Sequence, residues 1–340
     1  MTAISRDDLA AAVELEIVTA EQASRLEALT QSRSGLRTHL DDEPFEFFQG
    51  FSQIFFALGI ILFFGGATFS ARLYFPVNVP IVFYFSFIFI AFLLAEFVVR
   101  RKRMQLPGIA LIAFLTFFSL QLTLPPGFRE AFGAALLLLF YLRHRLPAAL
   151  FGVGAMLLIA SLVWVTDDPV PFSAGTAVLF DLGTNPLAAM VTLGVGLTAF
   201  GVAMAYDLRD PHRVSRLSAC AFWLHLLAAP AIVNTLAFTV YEMEGAVSYL
   251  LLSLTLLLVT LVALAIDRRS FLTAGLVYLG LLLATLLGQF GSVGSALVIC
   301  LLGAIVLLVA AGWQRLRARL LARLRWLPWV DRLPPVEIRQ

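Results

Sequence analysis

Few side chains in this sequence offer reactive chemistry, and the polar ones that stand out lie where apolar surroundings make them costly. The apolar segment 217–240 carries His225, Pro230 and Asn234. Proline has no amide hydrogen, so in a helix it leaves the carbonyl of Leu226 without its usual partner. Pro230 and Asn234 are four apart and share a face, whereas His225 and Asn234 are nine apart and point nearly opposite ways. A kinked helix with Asn234 facing a water-filled interior suits a permeation path. The same residues equally suit a static bundle, with Asn234 and His225 bonded to neighbouring helices at ~0.6–2 kcal/mol each. Gln121, Tyr278 and Gln289 are further polar residues available to such an interior. Glu96 is the one carboxylate well inside an apolar segment, and Arg100 follows it by one turn, a spacing that predicts a local ion pair. Glu130 and Asp207 fall at segment ends and require no special role.

Catalytic signatures are missing. The sequence has no GxxxxGK[ST] phosphate loop, HExxH helix, CxxC pair or GxSxG elbow, which argues against an enzyme. The four histidines, His39, His144, His212 and His225, lack metal-ligand spacing, and no cofactor is implied. Cys220 and Cys300 both lie in apolar segments and read as small packing residues. A net charge of +2 gives no reason to expect a nucleic acid partner.

Those polar residues are carried by segments that only a bilayer can cover. Sixty percent of the residues are hydrophobic, against roughly 45–50% in a soluble domain. Apolar segments of membrane-crossing length follow one another at about 51–71, 79–99, 106–123, 128–142, 146–165, 185–206, 217–240, 247–266, 271–290 and 293–313. The fold class expected is therefore an all-α integral membrane protein, a polytopic bundle of ten transmembrane helices over 51–313. Pro125-Pro126-Gly127 breaks the chain before the fourth segment, and Asn185-Pro186 reads as an N-cap followed by proline at the first helical position.

Arginine and lysine alternate between the joints. Arg100, Arg101, Lys102 and Arg103, then Arg143 and Arg145, then Arg209, Arg213 and Arg216, then Arg268 and Arg269 occupy one set, while the other set holds only Arg72 and Arg129. The positive-inside rule then predicts both termini in the cytosol and an inner-membrane location. The polar first 50 residues predict no cleaved leader, so the first span would serve as an uncleaved anchor. The joint 166–184 divides the spans five and five, which would give the halves opposite topology, although they share no evident sequence similarity.

Residues 1–40 read as a cytosolic helical hairpin. Leu9, Val13 and Ile17 make one apolar stripe; Thr19 with Gln22 forms a capping box ahead of a second stripe of Ala23, Leu26 and Leu29. The hairpin either packs on itself at the membrane surface or docks a cytosolic partner at 5–30. Residues 41–50 form an interfacial linker. The run from Leu9 to Val13, then Ile17 to Ala23 and Leu26, with Leu58 to Phe64 and the arginine-rich Pro-Pro ending, resembles the predicted bacterial membrane proteins grouped as domain of unknown function 2157. That resemblance implies a helical pair ahead of a block of spans and no known activity. Glu16 departs from it, standing where a glycine is expected between the helices.

Residues 314–340 form a basic cytosolic tail. Trp313, Leu316, Leu320, Leu324 and Leu327 fall within about 80° on a helical wheel, and Arg315, Arg319 and Arg325 lie off that arc. Such a helix is expected along the inner leaflet, in contact with anionic lipid. Two functional classes follow: a small-solute or lipid permease with its path between spans, or a membrane scaffold or sensor recruiting a partner through the hairpin. Oligomeric state is not encoded in any recognisable motif.

Overall fold

The computed structural model describes residues 6–33, 51–75, 79–166, 179–243, 246–287, 291–324, 326 and 330–334. Among them every regular element is helical. Seven helices are long and apolar enough to cross a membrane: Phe51–Tyr74, Ile81–Arg101, Ala148–Thr166, Pro186–Asp207, Arg216–Tyr241, Val247–Ile266 and Gly291–Arg323. Gln105–Leu120 and Ser270–Leu281 are apolar but shorter. Large apolar side chains are exposed on these helices, among them Leu62 and Phe63 on Phe51–Tyr74, Leu250 and Leu254 on Val247–Ile266, and Leu307 and Leu308 on Gly291–Arg323.

The chain separates into two compact units, one of Arg25–Pro171 and one of Phe172–Gln340 together with Met1–Ser24. The division between Pro171 and Phe172 falls inside the joint that parts the apolar segments five and five. The first unit holds α3 (Phe51–Tyr74), α4 (Ile81–Ala95), α5 (Gln105–Leu120), α6 (Phe128–His144) and α7 (Ala148–Thr166), and α4 runs on into a π-helical turn over Glu96–Arg101. Helix α5 packs against α3, α4, α6 and α7 and is the hub. Its Phe118 is fully buried, 5.5 Å from Phe64 and 5.2 Å from Phe87 between ring centroids. The Gln53 side chain accepts from the amides of Gln105 and Leu106, so α3 supplies the cap that α5 lacks. Glu130, buried, accepts from the Gly127 amide at 2.7 Å and from Arg129, so it closes the start of α6. Gly127 has φ +83°, and a Cβ there would lie 2.0 Å from Nε1 of Trp164; only glycine fits this turn.

The second unit holds α1 (Arg6–Glu14), the start of α2 (Ala20–Arg33), α8 (Pro186–Asp207), α9 (Arg216–Tyr241), α10 (Ala246–Ile266), α11 (Ser270–Leu287) and α12 (Gly291–Arg323). Helix α9 packs against α8, α10 and α11 and is the most buried of the seven helices of membrane-crossing length. Small residues let α8 approach it: a Cβ on Gly196 would stand 2.8 Å from Cβ of Ala231. Asn185 caps α8 by accepting from the amide of Ala188, with Pro186 beginning the helix.

In the N-terminal region two short helices, Arg6–Glu14 and Ala20–Arg33, are described, and residues 34–40 lie outside the described residues. Thr19 and Gln22 exchange side-chain-to-amide bonds at 2.9 and 3.2 Å. Leu9 and Ala23 are buried against Val214 of the α8–α9 joint, with Val13 and Val18 packed beside them. Glu16 has φ +57°, the left-handed conformation that favours the glycine expected there. Leu26 and Leu29, by contrast, remain exposed. The C-terminal region differs from expectation. Span and tail form one unbroken 33-residue helix, Gly291–Arg323, because no proline interrupts the chain there. Leu320 and Leu324 of the tail's apolar arc pack against a buried cluster of Ala265, Leu321, Val330 and Leu333, so part of that arc is covered by the chain itself.

Candidate functional site

The polar residues that the second unit buries gather at one end of its helices, where α8 ends, α9 starts, and α10 gives way to α11. The α8–α9 joint is built by Asp210, which accepts from the Val214 amide at 3.0 Å and the Ser215 amide at 2.8 Å. Ser215 then caps α9 by accepting from the amide of Leu217. These bonds fix where Asp207 and Arg213 point.

Asp207, the last residue of α8, is the centre of the first group. Nε2 of His225 stands 2.9 Å from its Oδ2. An ionised carboxylate only accepts, so Nε2 carries the hydrogen of this bond. Arg268 donates Nε to the same Oδ2 at 3.1 Å and Nη2 to Oδ1, gripping the carboxylate with two prongs, and also reaches the carbonyl of Ser218. His225 is completely buried and Arg268 and Asp207 are nearly so. Phe200 and Phe271 wall the imidazole at centroid distances of 5.5 and 5.9 Å. Thus α8, α9 and the α10–α11 joint are tied together by one carboxylate among buried side chains.

The adjacent residue, Asp267, is the centre of the second group. Arg213 meets its carboxylate at 3.1 Å and its carbonyl at 3.0 Å, and Nε1 of Trp313 donates to Oδ1 at 2.7 Å. Arg317, one turn beyond Trp313, lies 4.0 Å from the same carboxylate and donates to the Pro334 carbonyl. The Arg269 guanidinium sits 5.6 Å from the Trp313 ring. Arg213 and Asp267 are both left-handed, at φ 56° and 58°. Non-glycine residues pay roughly 1–2 kcal/mol for that conformation, and the pair of bonds between them holds both in it. Among the described residues three buried guanidiniums, Arg213, Arg268 and Arg317, stand close to these two carboxylates. Taking each ion out of water costs several kcal/mol, which apolar residues of similar size would not incur.

The residues singled out from sequence are dispersed. His225 belongs to the first group. Asn234 is half-buried, and its carbonyl accepts from the Tyr278 hydroxyl at 3.5 Å; Pro230 is exposed. Gln121 belongs to the other unit, where it accepts from Arg72 at 3.0 Å. Gln289 lies outside the described residues. Arg315 and Arg319 are exposed on α12, and Arg325 lies outside the described residues. Asp207, Arg268, Asp267, Arg213 and Arg317 were not among the candidates. Their one sequence signal is that acidic residues stand in two joints otherwise marked by arginine. Among the described residues no three of His, Cys, Asp and Glu stand close enough to hold a metal ion.

Comparison with protein-family models, with curated proteins and with solved structures finds no match for this chain.

Proposed function

We propose that this chain is a ten-span membrane protein with both termini in the cytosol, and that it is a small-solute or lipid permease whose path runs beside α9. The observation that carries this reading is the buried ionic group at the foot of the most enclosed helix, the same helix that bears Pro230 and Asn234. Ionisable residues within membrane helices are expensive and tend to mark pathways and their gates. The arginine alternation supports the orientation, because all the buried cations named above lie in joints or helix ends on the basic side. The left-handed Glu16 adds support for the resemblance to domain of unknown function 2157, since glycine is the residue that resemblance expects there.

A cysteine-accessibility scan from Ser218 to Thr239, without Cys220 and Cys300, tests the path. Impermeant thiol reagents should label the Asn234 face at helical period, deep in the span; labelling at the two ends only would remove the path from α9. A reporter fused after Gln340 should be active on the cytosolic side, and activity on the external side alone would refute the ten-span topology.

The exposure of Ile17, Leu26 and Leu29 favours a second reading, a scaffold or sensor that docks a cytosolic partner. Deleting residues 1–40 separates the two readings. A permease keeps its flux, whereas a scaffold loses its partner.

A further inference from the structure

Resting on the membrane-spanning reading but not on the path beside α9, we infer that the adjoining ends of α4 and α6 bind the phosphate headgroup of an anionic lipid. Two contacts bring the joints 100–103 and 143–145 together. Glu96, which opens the π-helical turn, meets Arg100 at 2.5 Å and Arg143 at 3.0 Å. A Cβ on Gly108 would stand 2.6 Å from Leu146 and 2.9 Å from Val99, so the start of α5 seats both joints closely. Six cations, Arg100, Arg101, Lys102, Arg103, Arg143 and Arg145, thereby stand at one end of the unit, all of them exposed.

Helices α3 to α7 with the π-helical turn carry two carboxylates, Glu96 here and Glu130 at the far end of α6. Arg100 and Arg143 share Glu96, whereas Arg101, Lys102, Arg103 and Arg145 meet no carboxylate among the described residues. The second unit treats its joint cations differently, burying Arg213 on Asp267 and Arg268 on Asp207. Backbone conformation sharpens the difference. Arg103 and Arg145 are left-handed, at φ 53° and 52°, in helix-ending positions where glycine is the usual residue. The left-handed Arg213 and Asp267 hold each other, but no side-chain bond among the described residues accounts for arginine at 103 or 145. What distinguishes arginine from glycine there is the charge it presents outward. Leu93, Phe97, Leu139 and Leu142, within two turns of these cations, are exposed, and Nζ of Lys102 lies 5.7 Å from the Phe97 ring. A ligand with acyl chains beneath a phosphate matches both the apolar and the cationic part, whereas a free phosphate uses only the second.

The test reconstitutes the full chain, with Cys220→Ala and Cys300→Ala, into vesicles after coupling a fluorophore to Leu142→Cys. The probes are phosphatidylglycerol and phosphatidylcholine with brominated acyl chains, whose quenching reports which lipid lies beside residue 142. The expected result is a preference for phosphatidylglycerol of at least about fivefold, the effect of one basic residue near an anionic surface. A fluorophore at Leu250→Cys, exposed at the start of α10 and remote from the basic joint that follows that helix, should show none. Arg103→Gly with Arg145→Gly should abolish the preference, and glycine suits the left-handed backbone at both positions, so the fold is kept. Arg103→Lys with Arg145→Lys should retain it. A preference that survives the glycine pair, or that is equal at residues 142 and 250, overturns the site. Equal quenching by the two lipids at residue 142 does the same and leaves the cations as an orientation signal only. Loss of the preference in inorganic phosphate, but not in sodium chloride of equal ionic strength, overturns the lipid in favour of a free phosphate compound. Quenching by neither lipid would overturn the membrane reading on which the site rests. None of these outcomes bears on the path beside α9, which the accessibility scan tests.

Discussion

Each unit concentrates charge at the end of its helices, and the two clusters are built from the same residue types with opposite exposure. In the first unit Glu96 is met by Arg100 at 2.5 Å and Arg143 at 3.0 Å, with the partners 36–54% exposed. In the second unit Asp207, Arg268 and Asp267 make comparable bonds with exposures of 10% or less. Exposed pairs of this kind contribute little, because water and salt compete for each partner. Buried pairs are different in kind: they add little net stability over an apolar replacement, but removing one partner strands the other. The contrast separates a rim that keeps a helix end soluble from a junction that holds several elements together.

The largest effect is expected from Asp207→Ala, which leaves Arg268 and His225 buried without their carboxylate. A loss of about 3–5 kcal/mol is expected, read as a lowered midpoint of thermal or denaturant unfolding in detergent. The double variant Asp207→Leu with Arg268→Met should recover most of it, since an apolar pair of similar volume satisfies the same space. If the single variant melts like the unaltered protein, the junction is not a junction. Asp267→Asn comes next. It keeps the shape and one acceptor for Trp313 but removes the charge facing Arg213, at an expected cost of about 1–3 kcal/mol. Limited proteolysis after Arg323 should quicken in this variant if Asp267 is what holds α12 to the α10–α11 joint.

These two groups show which features a sequence reveals. Apolar period and composition locate the helices. The local caps, Thr19 with Gln22 and Asn185 before Pro186, are readable because their partners are three residues away. Glu96 and Arg100 are readable for the same reason, being one helical turn apart. The buried junction joins residues separated by 18, 61 and 46 positions, so no local spacing encodes it. At the sequence level Asp207 and Asp267 are simply acidic residues at helix ends. The end of α12 was unreadable for a different reason: a change from apolar to arginine-rich composition marks a change of surroundings, and it does not stop a helix.

His144 lies in the rim of the first unit yet has its side chain buried, its ring tilted against that of Phe140 at a centroid distance of 4.6 Å and standing 3.9 Å from Glu96. Burial holds its pKa below the usual 6.5, although Glu96 pulls it back up. The folded protein therefore resists a proton that the unfolded chain accepts. Stability of the first unit should be unaffected above about pH 7 and should fall as pH drops through 6.5, levelling off once the folded form also protonates. His144→Phe should flatten that part of the stability profile, and an unchanged profile would place the acid sensitivity elsewhere.

The smallest effect is expected from Glu96→Gln, and its smallness is the sharpest statement of the contrast. The substitution removes the carboxylate shared by Arg100 and Arg143, but both guanidiniums are about half exposed and remain hydrated without it. No stranded charge results, so the unfolding midpoint should stay within the scatter of replicate melts. Raising salt from about 0.05 to 0.5 M shortens the screening length from roughly 14 to 4 Å. It should therefore reproduce the Glu96→Gln protein in the first unit while affecting the Asp207 junction far less, because buried pairs are screened much less. A salt response abolished by Asp207→Ala and retained by Glu96→Gln would reverse the assignment of which cluster is screened and which is not.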